Sequence, residues 1–134
     1  MSEVFADTFF FLAVANPNDP AHESADAAFD EYGRRLVTTQ WVLVEVGNAL
    51  SRRAYRRKFT ALLGLLGENP DVVIVPATPQ LYERGVALHK SRHDKEWSVT
   101  DCISFLVMKE RGIRDALTGD RHFEQAGFRA MLKG

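Results

Sequence analysis

Four carboxylates stand where a chain that alternates strands with helices could bring distant residues together. Asp7 follows the short apolar run Val4-Phe5-Ala6, and Glu45 lies within Trp41-Val42-Leu43-Val44-Glu45-Val46. Asp101 follows Ser98-Val99-Thr100, and Asp120 follows Leu117-Thr118-Gly119. Each has an ordinary structural use. Asp7 can cap a helix that starts at Thr8, Ser98 and Asp101 match a capping box, and Asp120 after Gly119 is turn chemistry able to cap a further helical turn. Glu45 either points to solvent or, if buried among valines, needs a partner. Gathered in one cleft, however, four such groups resist ionising together. Two carboxylates about 5 Å apart repel by about 3 kcal/mol at an effective dielectric near 20, or ~2 pKa units. A divalent cation removes that cost. Oxygen ligands with no thiolate or imidazole cluster favour Mg²⁺ or Mn²⁺ over zinc, and a deprotonated water on such an ion is a nucleophile toward phosphorus.

The elements that must position these acids follow from apolar patterning and breaker residues. Strands are expected at 3–6, 36–39, 72–75, 115–118 and 128–132, and helices at 8–15, 21–32 (ending near Gly33), 59–66, 79–91 and 99–111. A further helix runs from Gln40, capped by Thr39, to Tyr55 or Arg57, and a short helical turn spans 120–125. Val72-Val73-Ile74-Val75 is a continuous apolar run of the kind buried on both faces of a parallel sheet. The alternation predicts a mostly parallel sheet with helices on both faces, whose ligands bind at the carboxyl ends of the strands. With the first strand central, Asp7, Asp101 and Asp120 meet at one edge and Glu45 reaches inward from a neighbouring helix.

Composition narrows the class. A chain of 134 residues buries roughly two-thirds of its extended surface, enough for one domain without disulfide or zinc support. A content of 46% hydrophobic and 26% charged residues excludes disorder, and a single cysteine, Cys102, excludes a disulfide framework or a cysteine-based zinc finger. A net charge of −1 excludes a polycation that grips nucleic acid by bulk charge. The apolar stretch from Phe9 to Ala15 is too short to span a membrane, and with Asp7 beside it and no Lys or Arg ahead it does not read as a signal peptide. The chain reads as a complete, soluble, cytoplasmic protein forming a single domain over residues 1–134.

Locally the charge is less even. Ser51-Arg52-Arg53-Ala54-Tyr55-Arg56-Arg57-Lys58 is the densest cationic segment. On one continuous helix Arg52 and Arg56 share a face, as do Arg53 and Arg57. Such pairs repel and gain from a polyanion or an acidic partner. The other reading is a solvated helix end, where cations favour the negative pole of the dipole. His22, His89, His93 and His122 are scattered rather than set at metal-ligand spacing, and Cys102 is expected to face the core. Asp94 and Glu96 either widen the negative rim or belong to a solvated loop.

Four segments, VFADTFFFLAVANPNDPAH, TTQWVLVEVGNAL, EWSVTDCISFLVMKERGI and ALTGDRHFEQAGF, together resemble the PIN domain, and within it the VapC-type toxins of bacterial toxin–antitoxin pairs. They span essentially the whole chain. The resemblance implies a three-layer α/β/α sandwich with a mostly parallel five-stranded sheet of order 3-2-1-4-5. It also implies a metal-dependent endoribonuclease that uses Mg²⁺, or alternatively Mn²⁺, and leaves a 5′-phosphate and a 3′-hydroxyl. The family's acidic quartet falls on Asp7, Glu45, Asp101 and Asp120. By analogy Asp7 and Asp101 coordinate the cation, while Glu45 and Asp120 hold metal-bound waters, fill a second metal position or orient the attacking hydroxide. Thr8, Ser98 and Thr118 match supporting polar positions. Phe9 stands where many members carry Ser or Asn, so a hydrogen bond to the first acid or to a metal-bound water is missing there. The resemblance further implies an RNA substrate, a small antitoxin and a homodimer. RNA or the antitoxin would meet Arg52, Arg53, Arg56 and Arg57, Tyr55 could stack on RNA, and His122 is the histidine placed for an RNA contact. A PIN-like RNA-binding or regulatory module without catalysis, and an RNA-maturation nuclease without an antitoxin, are the alternatives. A receiver domain would need an Asp where Val75 leads into Pro76-Ala77, and a haloacid-dehalogenase-like phosphatase would need one in place of Phe9.

Overall fold

The computed structural model describes residues 2–32 and 35–132. The chain runs β1 (Val4–Ala6), α1 (Thr8–Ala15), α2 (His22–Tyr32), β2 (Leu36–Thr39), α3 (Gln40–Ala49), α4 (Arg56–Glu68), β3 (Val73–Val75), α5 (Pro79–Ser91), α6 (Val99–Arg111), β4 (Asp115–Leu117), α7 (Arg121–Gln125) and β5 (Arg129–Ala130). The five strands form one sheet in the order β3-β2-β1-β4-β5, and every pairing is parallel. Helix α1 packs on α2, α3 and α4, while α5 packs on α6 and α6 on α7. The expected α/β architecture, its strand order and the central place of β1 are all present. Gly33, where the second helix was expected to end, lies outside the described residues.

Central strands β1 and β2 are buried at every position. They put Phe5, Leu36 and Val37 into a core that also holds Phe10, Phe11, Ile103, Met108 and Phe123. Rings continue that core toward one end of the sheet. Phe123 lies 5.0 Å from Phe105 and 6.3 Å from Phe5, and Trp97 lies 5.0 Å from Phe105, measured between centroids. Burying Phe123 contributes about 1.5–3 kcal/mol, which anchors the five-residue α7 that hydrogen bonding alone would not hold. Helix α6 is held against α5 at Gly85, where an added Cβ would lie 2.4 Å from Ile103 Cγ1, and it ends on Gly112 in the left-handed conformation.

Two expectations are overturned. The run 72–75 does not form a strand buried on both faces. Val73 and Val75 are half-buried and Ile74 is exposed, because β3 pairs only with β2 and forms the edge of the sheet. Nor does one helix run from Gln40 to the arginines. It ends at Ala49, and residues 52–55 form a turn before α4 begins at Arg56. From Ser51 to Arg57 every residue is exposed, so no apolar stripe exists to extend α3 against the core. The chain instead folds back, burying Leu62 and Leu66 and placing the Phe59 ring 3.0 Å from where a Cβ on Gly47 would be. Strand β5 is shorter than expected, although the amides of Met131 and Leu132 still donate to the Ala116 and Thr118 carbonyls. Among the described residues no helix is long and apolar enough to cross a membrane.

Candidate active site

Three aspartates reach one end of the sheet as parts of helix starts. Asp7 caps α1, its Oδ1 accepting from the Phe10 amide at 3.3 Å. Asp101 completes the capping box of α6. Its Oδ2 accepts from the Ser98 amide at 3.1 Å, and its own amide donates to Ser98 Oγ at 3.0 Å. Asp120 caps α7, with Oδ1 accepting from the His122 amide at 2.9 Å. Each ordinary use read from the sequence is therefore present. Each also places a carboxylate at the positive pole of a helix, where anions are favoured.

Sheet register then joins them. Because β1 and β4 are neighbours with Ala6 opposite Leu117, Asp7 and Thr118 leave the sheet side by side. Thr118 Oγ1 accepts from the Asp120 amide at 2.9 Å and donates to Asp7 Oδ2 at 2.8 Å, a relay between two acids 113 positions apart in sequence. Asp7 is only 6% exposed. Burial pushes its pKa up to about 8. The Thr118 and Phe10 bonds oppose that rise, and the negative charges of Asp120 and Asp101 add to it. Thr118→Val, which keeps the shape but deletes the donor, is expected to raise the Asp7 pKa further and weaken divalent-cation binding by about 10- to 100-fold. Titration calorimetry with Mn²⁺ checks this, and unchanged affinity would remove Thr118 from the site.

His122 was expected to lie apart from any metal-ligand grouping. Instead its Nδ1 lies 3.0 Å from Asp101 Oδ2 and 3.5 Å from Asp120 Oδ1, and with the proton on Nδ1 the ring donates to Asp101. One ligand atom each from Asp101, Asp120 and His122 lie within 4.8 Å of one another. With Nδ1 donating in this way the ring orients the Asp101 carboxylate, and the oxygens of Asp101 and Asp120 are the ligand atoms it leaves at this corner. The sequence signal for His122 was the Asp-x-His spacing at the start of a short helix, which puts the ring back over its own cap. These oxygens, with a carboxylate buried beside them, fit a divalent cation.

Glu45 enters by another route. It is half-buried on α3, and Thr8, the first residue of α1, donates its hydroxyl to Glu45 Oε1. The charges that raise Asp7 are those of Asp101 and Asp120, so those three form the coupled group and Glu45 is attached to it through Thr8. Ser98 is exposed and serves as the cap of α6. The hydrogen bond expected to be missing at position 9 is not needed at Asp7, whose two oxygens already have the Phe10 amide and the Thr118 hydroxyl.

The other candidates lie elsewhere. Arg52 and Arg53 are in the turn after α3, and Arg56 and Arg57 open α4, all exposed. They therefore do not share faces of one helix: Arg52 and Arg53 follow the negative C-terminal end of α3, whereas Arg56 and Arg57 stand at the positive end of α4, where the dipole does not account for them. Cys102 is fully buried, as expected, with its thiol pushed up to about 11 by desolvation, which leaves it inert as a nucleophile. Asp94 is clasped by Arg92 at 3.0 and 2.9 Å and held down at about 2 by those bonds, so it is neutralised locally rather than widening the acidic rim.

A fold of this order with acids at the carboxyl edge of its sheet agrees with comparison to known proteins. The family model for the PIN domain matches residues 4–129, and the chain belongs to that family. Among individual proteins it is similar to the 23S rRNA-specific endonuclease VapC20 of Mycobacterium tuberculosis, at 30% identity over 125 residues, 93% of this chain and 95% of that one. The crystal structure of M. tuberculosis VapC20, described as a sarcin-ricin loop cleaving toxin, superposes with a TM-score of 0.84 at 28% identity, covering 94% of this chain and 96% of that one. FitAcB from Neisseria gonorrhoeae superposes with a TM-score of 0.65 at 18% identity over 95% of each chain, a likeness of fold.

Proposed function

We propose that this protein is a Mg²⁺- or Mn²⁺-dependent endoribonuclease and the toxin of a type II toxin–antitoxin pair. The observation that carries this reading is that Asp101 and Asp120, from separate elements, meet beside His122, while Thr118 ties Asp7 to Asp120 and burial, with the charges of both acids adding, pushes the Asp7 pKa up to about 8. The identity with an rRNA endonuclease over nearly the whole chain supports RNA as the substrate. Asp7 and Asp101 hold the cation, and Glu45 and Asp120 hold waters around it. A bound divalent ion supplies charge neutralisation at the scissile phosphate and a water acidic enough to be deprotonated near neutral pH. The protein's own side chains prepare that place. Thr118 aims Asp7, His122 and Ser98 fix the Asp101 carboxylate, and Thr8 turns Glu45 inward.

RNA backbone contact falls to Arg52, Arg53, Arg56 and Arg57, whose exposure leaves them available to phosphate, and a small antitoxin competes for the same segment. The protein acts in the cytoplasm as a homodimer. Purified protein is expected to cut structured RNA in Mg²⁺ or Mn²⁺, leaving 5′-phosphate and 3′-hydroxyl ends, and to stop in EDTA. Undiminished cutting in EDTA, or cyclic-phosphate ends, would sink the reading.

A further inference from the structure

We propose that Phe9 is the stacking platform for the nucleobase next to the scissile phosphate, so that this nuclease takes RNA presenting an unpaired base. The inference rests on the endoribonuclease reading and adds a base subsite to it. Phe9 lies two residues past Asp7, in the first turn of α1, and remains 36% exposed. A single exposed aromatic residue is unremarkable. The placement of this one is not, because the far end of its ring is seated on Gly119. A Cβ there would lie 2.6 Å from Phe9 Cζ and 3.0 Å from each Cε. Gly119 joins Thr118, which bonds Asp7, to Asp120.

Phe9 thus bridges from the helix that Asp7 caps to the turn that carries Asp120, along the rim of the acid group. With its distal edge held against the turn, the residue as a whole still keeps 36% of its surface exposed, which leaves ring surface on which a base could stack. The absence of a side chain on Gly119 is what lets the ring sit there. Bases held inside a duplex cannot reach such a surface, whereas bases in loops can be splayed out onto aromatic rings. Stacking of this kind is worth about 1–3 kcal/mol per base, roughly five- to 150-fold in affinity.

The test measures binding of fluorescent RNA by anisotropy in Mg²⁺, on an Asp101→Asn background that leaves the RNA uncut. Three RNAs are compared: a hairpin with an unpaired loop, the same hairpin with its loop nucleotides made abasic, and a fully paired duplex. Phe9→Leu is expected to weaken the looped hairpin by about tenfold and to leave the abasic hairpin and the duplex unchanged. Phe9→Trp is expected to keep loop affinity and to show emission, relative to the Phe9 parent, that the looped hairpin quenches and the abasic one does not. Equal loss for all three RNAs, or no loss, overturns the subsite. So does unchanged RNA affinity accompanied by weaker self-association in sedimentation, which would assign the ring to a protein contact. Failure here leaves metal-dependent cleavage by the Asp101 protein intact, whereas failure of the nuclease reading appears as absence of that cleavage.

Discussion

Replacing Asp7 or Asp101 by asparagine is expected to lower RNA cleavage by at least ~1,000-fold while the fold persists. A thousandfold corresponds to about 4 kcal/mol of transition-state stabilisation, within what a correctly held divalent ion supplies. Asparagine keeps the volume and an accepting oxygen: at position 7 it ranks with aspartate as the N-cap of α1, and at position 101 it can still accept from the Ser98 amide while Ser98 itself caps α6, so both helices still begin where they do. What it removes is charge: an oxygen donor remains, but not an anionic one. Initial rates in Mg²⁺, with circular dichroism as the check on folding, measure the loss. Asp94→Asn serves as a charge-matched control, because that carboxylate is engaged by Arg92. Rates within tenfold of the parent for both site variants would show that the three carboxylates meet for some other reason.

The second large effect is on stability. With a folded pKa of about 8 against the ordinary aspartate value of 3.8, the Asp7 carboxyl keeps its proton in the folded protein over a pH range in which the unfolded chain has released it. A raised folded pKa contributes stability that is complete below about pH 4 and is lost as pH rises toward 8. In EDTA, therefore, Tm is expected to fall across that window by ~10 °C or more, since a gap of this size corresponds to several kcal/mol. Saturating Mn²⁺ should restore Tm above pH 7, because the ion favours the ionised carboxylate, and its uptake should release a proton that buffer-dependent calorimetry detects. Asp7→Asn has no such proton, so its Tm in EDTA should be much flatter over the same range. A parent curve as flat as that of Asp7→Asn would show that Asp7 is ionised in the apo protein.

Much of the scaffold was legible because its signals are local. The Thr39 and Thr78 caps, Pro79 inside the first turn of α5, and the Ser98–Asp101 box are patterns of three or four residues, and helices begin at each of them. The helix boundary at Ala49 was not legible. Gly47 and Asn48 stand inside the last turn of α3 rather than past its end, and the chain turns because Phe59, Leu62 and Leu66 bury better by folding back than Arg52 and Arg53 could by continuing. The same limit explains 72–75. Four apolar residues in a row look alike at the centre and at the edge of a sheet, and only the order β3-β2-β1-β4-β5 decides that one side goes without a neighbour.

By itself the sequence determined where each acid sits in its own element: Asp7 after a strand, Asp101 in a box, Asp120 at a turn, Glu45 on an apolar helix. A cap is a bond across two or three residues and needs no knowledge of the rest of the chain. Tertiary structure alone decided that Ala6 lies opposite Leu117, that Thr118 therefore reaches Asp7, and that His122 closes on Asp101 rather than facing water. It also decided the depth of burial that pushes the pKa of one carboxyl, Asp7, well above the usual carboxylate range. Desolvation and charge coupling depend on which surfaces meet, and residues more than a hundred positions apart meet only once the sheet has closed.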